Sequence, residues 1–394
     1  MEFWIWLSNA LGPGSPRIND IVASFETAEY FYAEKKNGFR FLSFLTEEEK
    51  ERLSQASLSD ALRLQEKTLD RGYRILTPDQ QEYPNRLRNI YAMPAVLYVD
   101  GSLGKIDENV AVTVVGARKC SDYGKAVAEK LGFDLARMGA VVITGMARGI
   151  DGAAHMAALK AGGSTIAVLG CGLDVVYPPE HGQIRRQTPK RGAVISEFPL
   201  GARPEGFHFP IRNRLMSALA LGVVVVEGEL TSGSLITANY ALEQGKDVFA
   251  VPGSVFSGLS KGPFRLLRAG AIPVSCAHDI LEEYRYRYAA KISWKNQEEK
   301  KACEKPDQSR KPEQPEDRPA PIREKRALPA DADPVLREVY EILSEVPMHA
   351  DEIAARMQKN PAEVLTALSE LEIMGFVSAN AGKRFCVASQ KGCQ

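Results

Sequence analysis

The run Phe207-His208-Phe209-Pro210-Ile211-Arg212-Asn213-Arg214 sets two aromatics and two arginines around one amide. A guanidinium pairs bidentately with phosphate, an asparagine amide can read a base edge, and an aromatic face can carry a stacked base. One short segment therefore holds three chemistries suited to nucleic acid. The same residues also suit a loop entering a helix, with Phe207 and Phe209 buried and the arginines in structural ion pairs. Glycine-rich segments offer a second set of groups: Gly116-Ala117-Arg118, Gly145-Met146-Ala147-Arg148-Gly149-Ile150-Asp151, Gly170-Cys171-Gly172-Leu173-Asp174, Glu227-Gly228 and Pro252-Gly253-Ser254. Glycine lets a backbone approach an anion closely, and a following helix adds free N–H groups and its positive dipole end. Ser232-Gly233-Ser234 is a further loop able to offer N–H and hydroxyl donors.

Three chemistries compete for these groups. A dinucleotide cofactor needs Gly-x-Gly-x-x-Gly directly after the first strand and an acid at the end of the second. Here Gly116 is followed by Arg118, the next glycine is Gly124, and Thr144-Gly145 stands where the acid belongs. Gly101-Ser102-Leu103-Gly104-Lys105-Ile106 lacks the spacing and the hydroxyl of a Walker loop, so no cofactor is expected. Catalysis could draw on Asp151 and His155, one helical turn apart, with Glu197 and Glu227 at strand ends. Against it, a carboxylate at a helix start caps N–H groups, and a helix histidine commonly has a structural hydrogen-bonding role, so no catalytic residue is assigned. A polyanion is the third candidate. Val110 to Ala290 carries 20 basic against 15 acidic side chains, although the whole chain is neutral with 50 of each. Several phosphate pockets in a row suit a strand of nucleic acid, and stacking on Phe209 favours unpaired bases.

The elements that must hold these groups show in the hydrophobic pattern. From Val110 to Val251 short apolar strands alternate with helices. The strands are Val110–Val115, Val141–Thr144, Thr165–Leu169, Ala193–Ser196, Gly222–Val226 and Val248–Val251; the helices are Gly124–Met138, Gly149–Leu159, Arg212–Ala220 and Leu235–Gln244. The alternation predicts an α/β fold, a Rossmann-like doubly wound and mostly parallel sheet covered on both faces. Ligands of such sheets bind beyond the carboxyl ends of the strands, where the glycine-rich segments fall. Two further strands, Tyr73–Leu76 and Ala95–Val99, lead into it. Residues 73–290 are thus the expected Rossmann-like domain.

Residues 1–72 read as a small helical domain, either a helix-hairpin-helix relative or a packing unit; it lacks the two-glycine hairpin, and basic residues are sparse beside its turn. Residues 291–330, with mixed charges, five prolines between Pro306 and Pro321 and almost no large apolar side chains, read as a solvated linker. Residues 331–389 read as a winged helix: helices over Pro334–Glu345, Ala350–Met357 and, capped by Asn360 with Pro361 in its first turn, onward to Met374, then a hairpin around Asn380-Ala381-Gly382. The third helix carries Glu363, Glu370 and Glu372 and no Lys or Arg, which favours a protein-contact or packing role over duplex binding; on the wing only Lys383 and Arg384 are basic.

At 394 residues the chain is too long for one ordinary core, and 44% hydrophobic with 25% charged residues fits a globular protein. Its six cysteines form no C-x-x-C pair, which argues against a disulfide framework and a zinc site and for a reducing cytosol. Met1 to Leu7 is apolar but too short for a signal or spanning segment. No membrane partner is expected.

At these positions the chain resembles the DNA-processing protein A group, DprA, also called Smf. The matching runs are Val115-Gly116-Ala117-Arg118 with Tyr123-Gly124, Thr144 to Asp151 with Ala154-His155, Ala167 to Asp174 with Tyr177-Pro178, Ile195 to Pro199, Phe209 to Arg214, Ser232 to Ala238, and Val248 to Gly253. The resemblance implies a binder and not an enzyme: a cytosolic homodimer, joined through the Rossmann-like domain, that coats incoming single-stranded DNA in natural transformation and hands it to a RecA-type recombinase. It implies that Arg118 contacts phosphate, that Phe209 stacks on or packs beside a base, and that Arg212 and Asn213 complete the pocket. Gly116, Tyr123, Gly145, Arg148, Gly170, Ser232, Gly233 and Ser234 are the further candidate contacts. Arg214, one position deeper in its helix, is a candidate ligand that equally suits an ion pair. Ala117 stands where the family usually has serine, and Gly262-Pro263-Phe264 replaces a common Gly-x-Asn turn. The competing class is that of the lysine-decarboxylase-like phosphoribohydrolases, which need a Pro-Gly-Gly-x-Gly-Thr run followed by glutamate; Thr231 to Thr237 lacks that glutamate.

Overall fold

Apolar runs of four or five residues are too short for core helices and long enough for strands buried on both faces. In the computed structural model they form the centre of a 9-stranded sheet. The structure describes residues 1–293, 328–329, 332–344, 348–380 and 384–388, in two compact units treated separately below.

The first unit begins with five helices: α1 (Glu2–Leu11), α2 (Arg17–Phe25), α3 (Ala28–Ala33), α4 (Glu47–Gln55) and α5 (Leu58–Asp70). Trp4, Ile5, Trp6 and Leu7 are all buried, so the apolar start of the chain is a core helix. Trp6 meets Phe31, Tyr32 and Phe39, and its Nε1 donates to the Ala56 carbonyl at 3.1 Å. A capping box between Thr46 and Glu49 starts α4 and satisfies two end amides.

The sheet follows as β1 (Arg74–Leu76), α6 (Asn85–Arg88), β2 (Leu97–Gly101), β3 (Ala111–Val115), α7 (Asp122–Arg137), β4 (Val141–Thr144), α8 (Ile150–Lys160), β5 (Thr165–Leu169), α9 (Gly182–Gln187) and β6 (Gly192–Ser196). It continues as α10 (His208–Leu219), β7 (Gly222–Val225), α11 (Gly233–Glu243), β8 (Asp247–Ala250), α12 (Lys261–Arg268), β9 (Ile272–Pro273) and α13 (Ala277–Glu282). Strand order is β1-β2-β6-β5-β4-β3-β7-β8-β9. The strands from β6 to β9 pair in parallel, and β2 and β1 add an antiparallel edge. The fold is α/β, Rossmann-like and mostly parallel. Successive strands run outward from β3 in one direction and from β7 in the other, so the topological switch lies between these two neighbours.

Alternate residues of β3 feed opposite cores. Val112 and Val114 pack with Leu131 and Leu135 of α7 and Ala154 and Ala158 of α8, while Ala111 and Val115 join Leu215 and Met216 of α10 and Leu235 of α11. That second core is continuous with Trp4, Trp6 and Phe31 of the helical front. The front and the sheet therefore share one hydrophobic core across residue 72.

One boundary departs from the sequence pattern where it matters. The helix expected from Arg212 starts at His208, because Pro210 falls in its first turn, where the missing N–H costs nothing. Phe209, Arg212 and Asn213 are thus fixed to one rigid helix. The helix expected from Leu235 likewise starts at Gly233. The short elements α9, α12, β9 and α13 add to those expected from the sequence.

The second unit contains α14 (Pro334–Ile342), β10 (Met348–His349), α15 (Ala350–Met357), α16 (Pro361–Ile373), β11 (Val377–Asn380) and β12 (Arg384–Val387), its strands ordered β10-β12-β11. Asn360 Oδ1 accepts from the Ala362 amide at 3.0 Å as the cap of α16. Three helices and a small sheet make a winged helix. Glu363, Glu370 and Glu372 of α16 are exposed. The linker expected over 291–330 falls mostly, and the hairpin turn with Lys383 wholly, outside the described residues.

Helices α7 and α8 approach so closely that a Cβ on Gly132 would run into the Ala154 backbone. Gly132→Ala is expected to lower unfolding stability by about 1–3 kcal/mol through overpacking, read by urea denaturation.

Candidate nucleic-acid interface

A cavity of about 260 Å³ opens at the switch between β3 and β7. Val115, Gly116 and Arg118 reach it from the end of β3, Phe209, Arg212, Asn213 and Met216 from α10, and Ser232, Gly233, Ser234 and Thr237 from the start of α11. Eight of the sequence-predicted residues thus meet in one place: Gly116, Arg118, Phe209, Arg212, Asn213, Ser232, Gly233 and Ser234.

Arg118 is placed by its neighbour. The Ala117 amide donates to the Glu227 carbonyl at 2.8 Å, and the Ala117 carbonyl accepts from the Ile150 amide at 3.3 Å. With the backbone pinned on both sides, the Arg118 side chain turns outward. It is exposed and forms no ion pair or hydrogen bond among the described residues; its guanidinium lies 4.8 Å from the centre of the Phe209 ring. The close approach of α8 to this loop requires glycine at 149, where φ is +73° and a Cβ would meet the Ala117 carbonyl.

Arg212 is the opposite case. Its guanidinium is buried, with Nη1 donating to the carbonyls of Gly145 (2.7 Å) and Val168, and Nε to Asn213 Oδ1 at 3.1 Å. Burial draws it down to about 10, opposed by the charge of Asp151, so it remains a cation at neutral pH. Asn213 Nδ2 in turn donates to the Gly233 carbonyl at 3.2 Å, tying α10 to the start of α11. Phe209 lies half-buried over Gly170, where a Cβ would come within 3.1 Å of the ring, and beside Tyr177 at 5.7 Å between centroids. Ser232 Oγ caps α11 by accepting from the Ser234 amide at 3.3 Å. The Gly233 amide makes no hydrogen bond among the described residues, and Gly233 lines the cavity at the positive end of a helix.

The structure places the remaining candidates elsewhere. The Gly145 amide donates to Asp151 Oδ2 at 3.0 Å and its carbonyl accepts from Arg212, so its backbone is not open to phosphate. The reason it is glycine is steric: a Cβ there would collide with the Arg212 guanidinium. Arg214 points away from the cavity and forms a buried ion pair with Glu197, whose other oxygen accepts from the Gly14 amide at 2.9 Å. This corrects the expectation of Arg214 as a ligand in favour of the ion pair. Arg148 pairs with Glu180 on the surface, and Tyr123 donates to the Pro252 carbonyl at 2.8 Å, at the exit of β8.

The groups considered for catalysis are held in structural roles. Burial pushes the Asp151 carboxyl upward against the pull of Arg212 and of the Gly145, Gly116 and Ala147 amides. His155 is fully buried among Thr144, Thr165 and Thr188, and burial lowers it to about 3, leaving it neutral. Glu227 accepts from the Ser121 amide and hydroxyl. Among the described residues no cluster of His, Cys, Asp or Glu is arranged to hold a metal. Ala147, Asp151, Pro210, Met216, Ile236 and Thr237 complete the lining; Met216 lies outside the matching runs and gave no signal in the sequence.

The family model for DNA recombination-mediator protein A matches residues 74–285, and that for the DprA winged helix domain matches residues 323–383. DNA processing protein DprA of Bacillus subtilis is 42% identical over 54% of this chain and 72% of its own length. Protein Smf of Escherichia coli is 36% identical over 79% of this chain and 76% of its own. The X-ray structure of DNA processing protein A from Streptococcus pneumoniae aligns with a TM-score of 0.64 at 34% identity, covering 72% of this chain and 98% of that one.

Removing the Arg214 side chain leaves Glu197 buried without its cation. Arg214→Ala is expected to cost about 3–5 kcal/mol of stability in chemical denaturation. Arg118→Ala, which removes an exposed and unpaired group, is expected to change stability by no more than about 0.5 kcal/mol.

Proposed function

The chain belongs to the DNA recombination-mediator protein A (DprA) family, and on that premise we propose that it holds unpaired DNA in the pocket at the β3–β7 switch and passes it on for recombination. One observation carries the assignment: a guanidinium without an ion-pair partner, Arg118, lies over the face of Phe209 beside the open amide of Gly233. A phosphate entering the pocket draws Arg118 toward itself and toward the helix start, and that movement uncovers the ring for a base. Bases in a duplex stack on each other, so a ring set into a pocket serves an unpaired strand.

In this scheme Arg118 and the amide and hydroxyls of Ser232, Gly233 and Ser234 take the phosphate, and Phe209 takes the base. Arg212, fixed against two carbonyls, supplies positive potential from below, while Asn213 and Gly116 shape the walls. Gly170 floors the ring. Arg148, once freed from Glu180, and Tyr123 lie along the path to either side.

Membership in the family supports the rest of the assignment. The protein coats incoming single-stranded DNA in natural transformation, loads a RecA-type recombinase, and works as a homodimer through its Rossmann-like domain in the cytoplasm. No helix among the described residues is long and apolar enough to cross a membrane. The winged helix, with acidic residues exposed on α16, serves protein contact or packing. Residues 1–72, 73–290, 291–330 and 331–389 are its helical, sheet, linker and winged-helix segments. Nucleoside monophosphate hydrolysis is not favoured, because Asp151, Glu197 and Glu227 are all engaged by backbone or side-chain donors.

In salt titrations of oligonucleotide binding, Arg118→Ala is expected to weaken single-strand affinity and to reduce the log–log salt slope by about 0.7, the share of one phosphate on a single strand. Phe209→Ala is expected to weaken binding by about 1–3 kcal/mol with the slope unchanged, since stacking releases no counterions. Parent-like affinity in both variants would rule out the pocket. Deleting Ala332 to Gln394 should leave most of the affinity in place.

A further inference from the structure

Beyond the pocket, the same edge of the sheet carries exposed side chains of which only Tyr123 has entered the scheme above. The loop after β8 exposes Val255 at 76% and Phe256 at 97%. The loop is well anchored: the Ser257 amide donates to the Ser254 carbonyl at 3.0 Å, Gly228 to Leu259 at 2.7 Å, and Gly262 to Gly228 at 2.8 Å. These bonds lock it to the loop after β7, where Leu230 is 50% exposed. Tyr123, 52% exposed, is drawn to the same place by its bond to the Pro252 carbonyl. A firmly held loop thus presents its aromatic tip to solvent.

The segment that carries the tip is basic, while Asp122 beside Tyr123 and Glu229 beside Leu230 are exposed acids on the neighbouring loops. From Val248 to His278 the chain has no acidic residue, and it carries Lys261, Arg265 and Arg268. All three are exposed and form no ion pair among the described residues. Lys261 and Arg265 are four apart on α12 and so share a face. An aromatic tip followed, five and nine residues on, by cations of α12 is the combination that single-strand grooves use for base and phosphate.

Position supplies the continuity. Thr231 joins Leu230 directly to Ser232 of the pocket, and β8 stands two strands from β3, about 10 Å along the sheet edge. We propose that the β8 exit is a second station for the same single strand, with Phe256 and Tyr123 stacking bases and Lys261 and Arg265 holding the phosphates between. This assignment rests on the pocket being a single-strand site. It gives the bound strand a direction along the sheet edge, from β3 across β7 to β8.

The test is binding of the full chain to an oligothymidylate series, from lengths that only fill the pocket to lengths that also pass β8. Phe256→Ala is expected to leave the shortest oligomers unaffected and to weaken the longer ones roughly five- to a hundredfold at an unchanged salt slope. Phe256→Trp should keep parent affinity. The double variant Lys261→Ala/Arg265→Ala should lower the slope by about 1.4, again only on longer strands. A Phe256→Ala effect that is absent, or equal at every length, overturns the second station while leaving the pocket standing. A change in the mass of Phe256→Ala by light scattering also overturns it, because the tip would then belong to a contact between copies of the chain. Failure of the parent protein to bind any length would remove the pocket and the station together.

Discussion

Burying the Arg212 guanidinium is the constraint on which the site is built. A cation taken out of water must be compensated locally, and here the compensation comes from the carbonyls of Gly145 and Val168, the amide oxygen of Asn213 and the charge of Asp151. Those two carbonyls belong to the ends of β4 and β5. Arg212 therefore locks α10 against the carboxyl edge of the sheet at a fixed height. Phe209 lies one turn earlier on α10 and inherits its position over Gly170 from that lock. Asn213, the next residue, carries it on to Gly233 and the start of α11. Glycine at 145 follows from the same requirement, since a side chain there would occupy the place of the guanidinium.

Asp151 is the counterpart of this arrangement and decides what the site can do. The glycine-rich exits of β3 and β4 resemble anion cradles, yet their amides converge on the Asp151 carboxylate. The Asp151 carboxyl occupies that position and takes up the amides that a ligand phosphate would need. What stays open is the next position along the edge, where Arg118 and the Gly233 amide have no hydrogen-bond or ion-pair partner among the described residues. The groups considered for catalysis are held in the same way, Asp151 by backbone amides and His155, neutral and enclosed, among Thr144, Thr165 and Thr188.

The fold was legible because both of its signals are local: apolar runs of strand length and helices between them. Family membership was legible in the ordered runs between Val115 and Gly253. The gathering of residues at the strand ends followed from the rule that such sheets bind beyond their carboxyl ends. The division of labour among the arginines was not legible. Arg118, Arg212 and Arg214 have the same side chain, but one is unpaired, one is held by carbonyls and one neutralises Glu197. Those fates depend on Gly145, Val168, Glu197 and Gly14, which are brought close only by the tertiary fold. The early start of α10 was obscured because Pro210 reads as a breaker except in a first turn.

The ion pair of Glu197 with Arg214 extends the same logic to the helical front. Glu197 is buried, and burial raises its carboxyl against the opposing pull of Arg214 and the Gly14 amide. The α1–α2 turn is thereby joined to the exit of β6 by an interaction worth more in a dry interior than at a surface. Since Arg214 stands two residues from Arg212 on the same helix, α10 is fixed from both sides, by the sheet edge through Arg212 and by the helical front through Arg214. The front thus contributes to the pocket without reaching it, by holding rigid the helix that carries Phe209. A basic surface on those helices is not needed for that role, and their sparse positive charge beside the Gly12-Pro13-Gly14 turn is consistent with it.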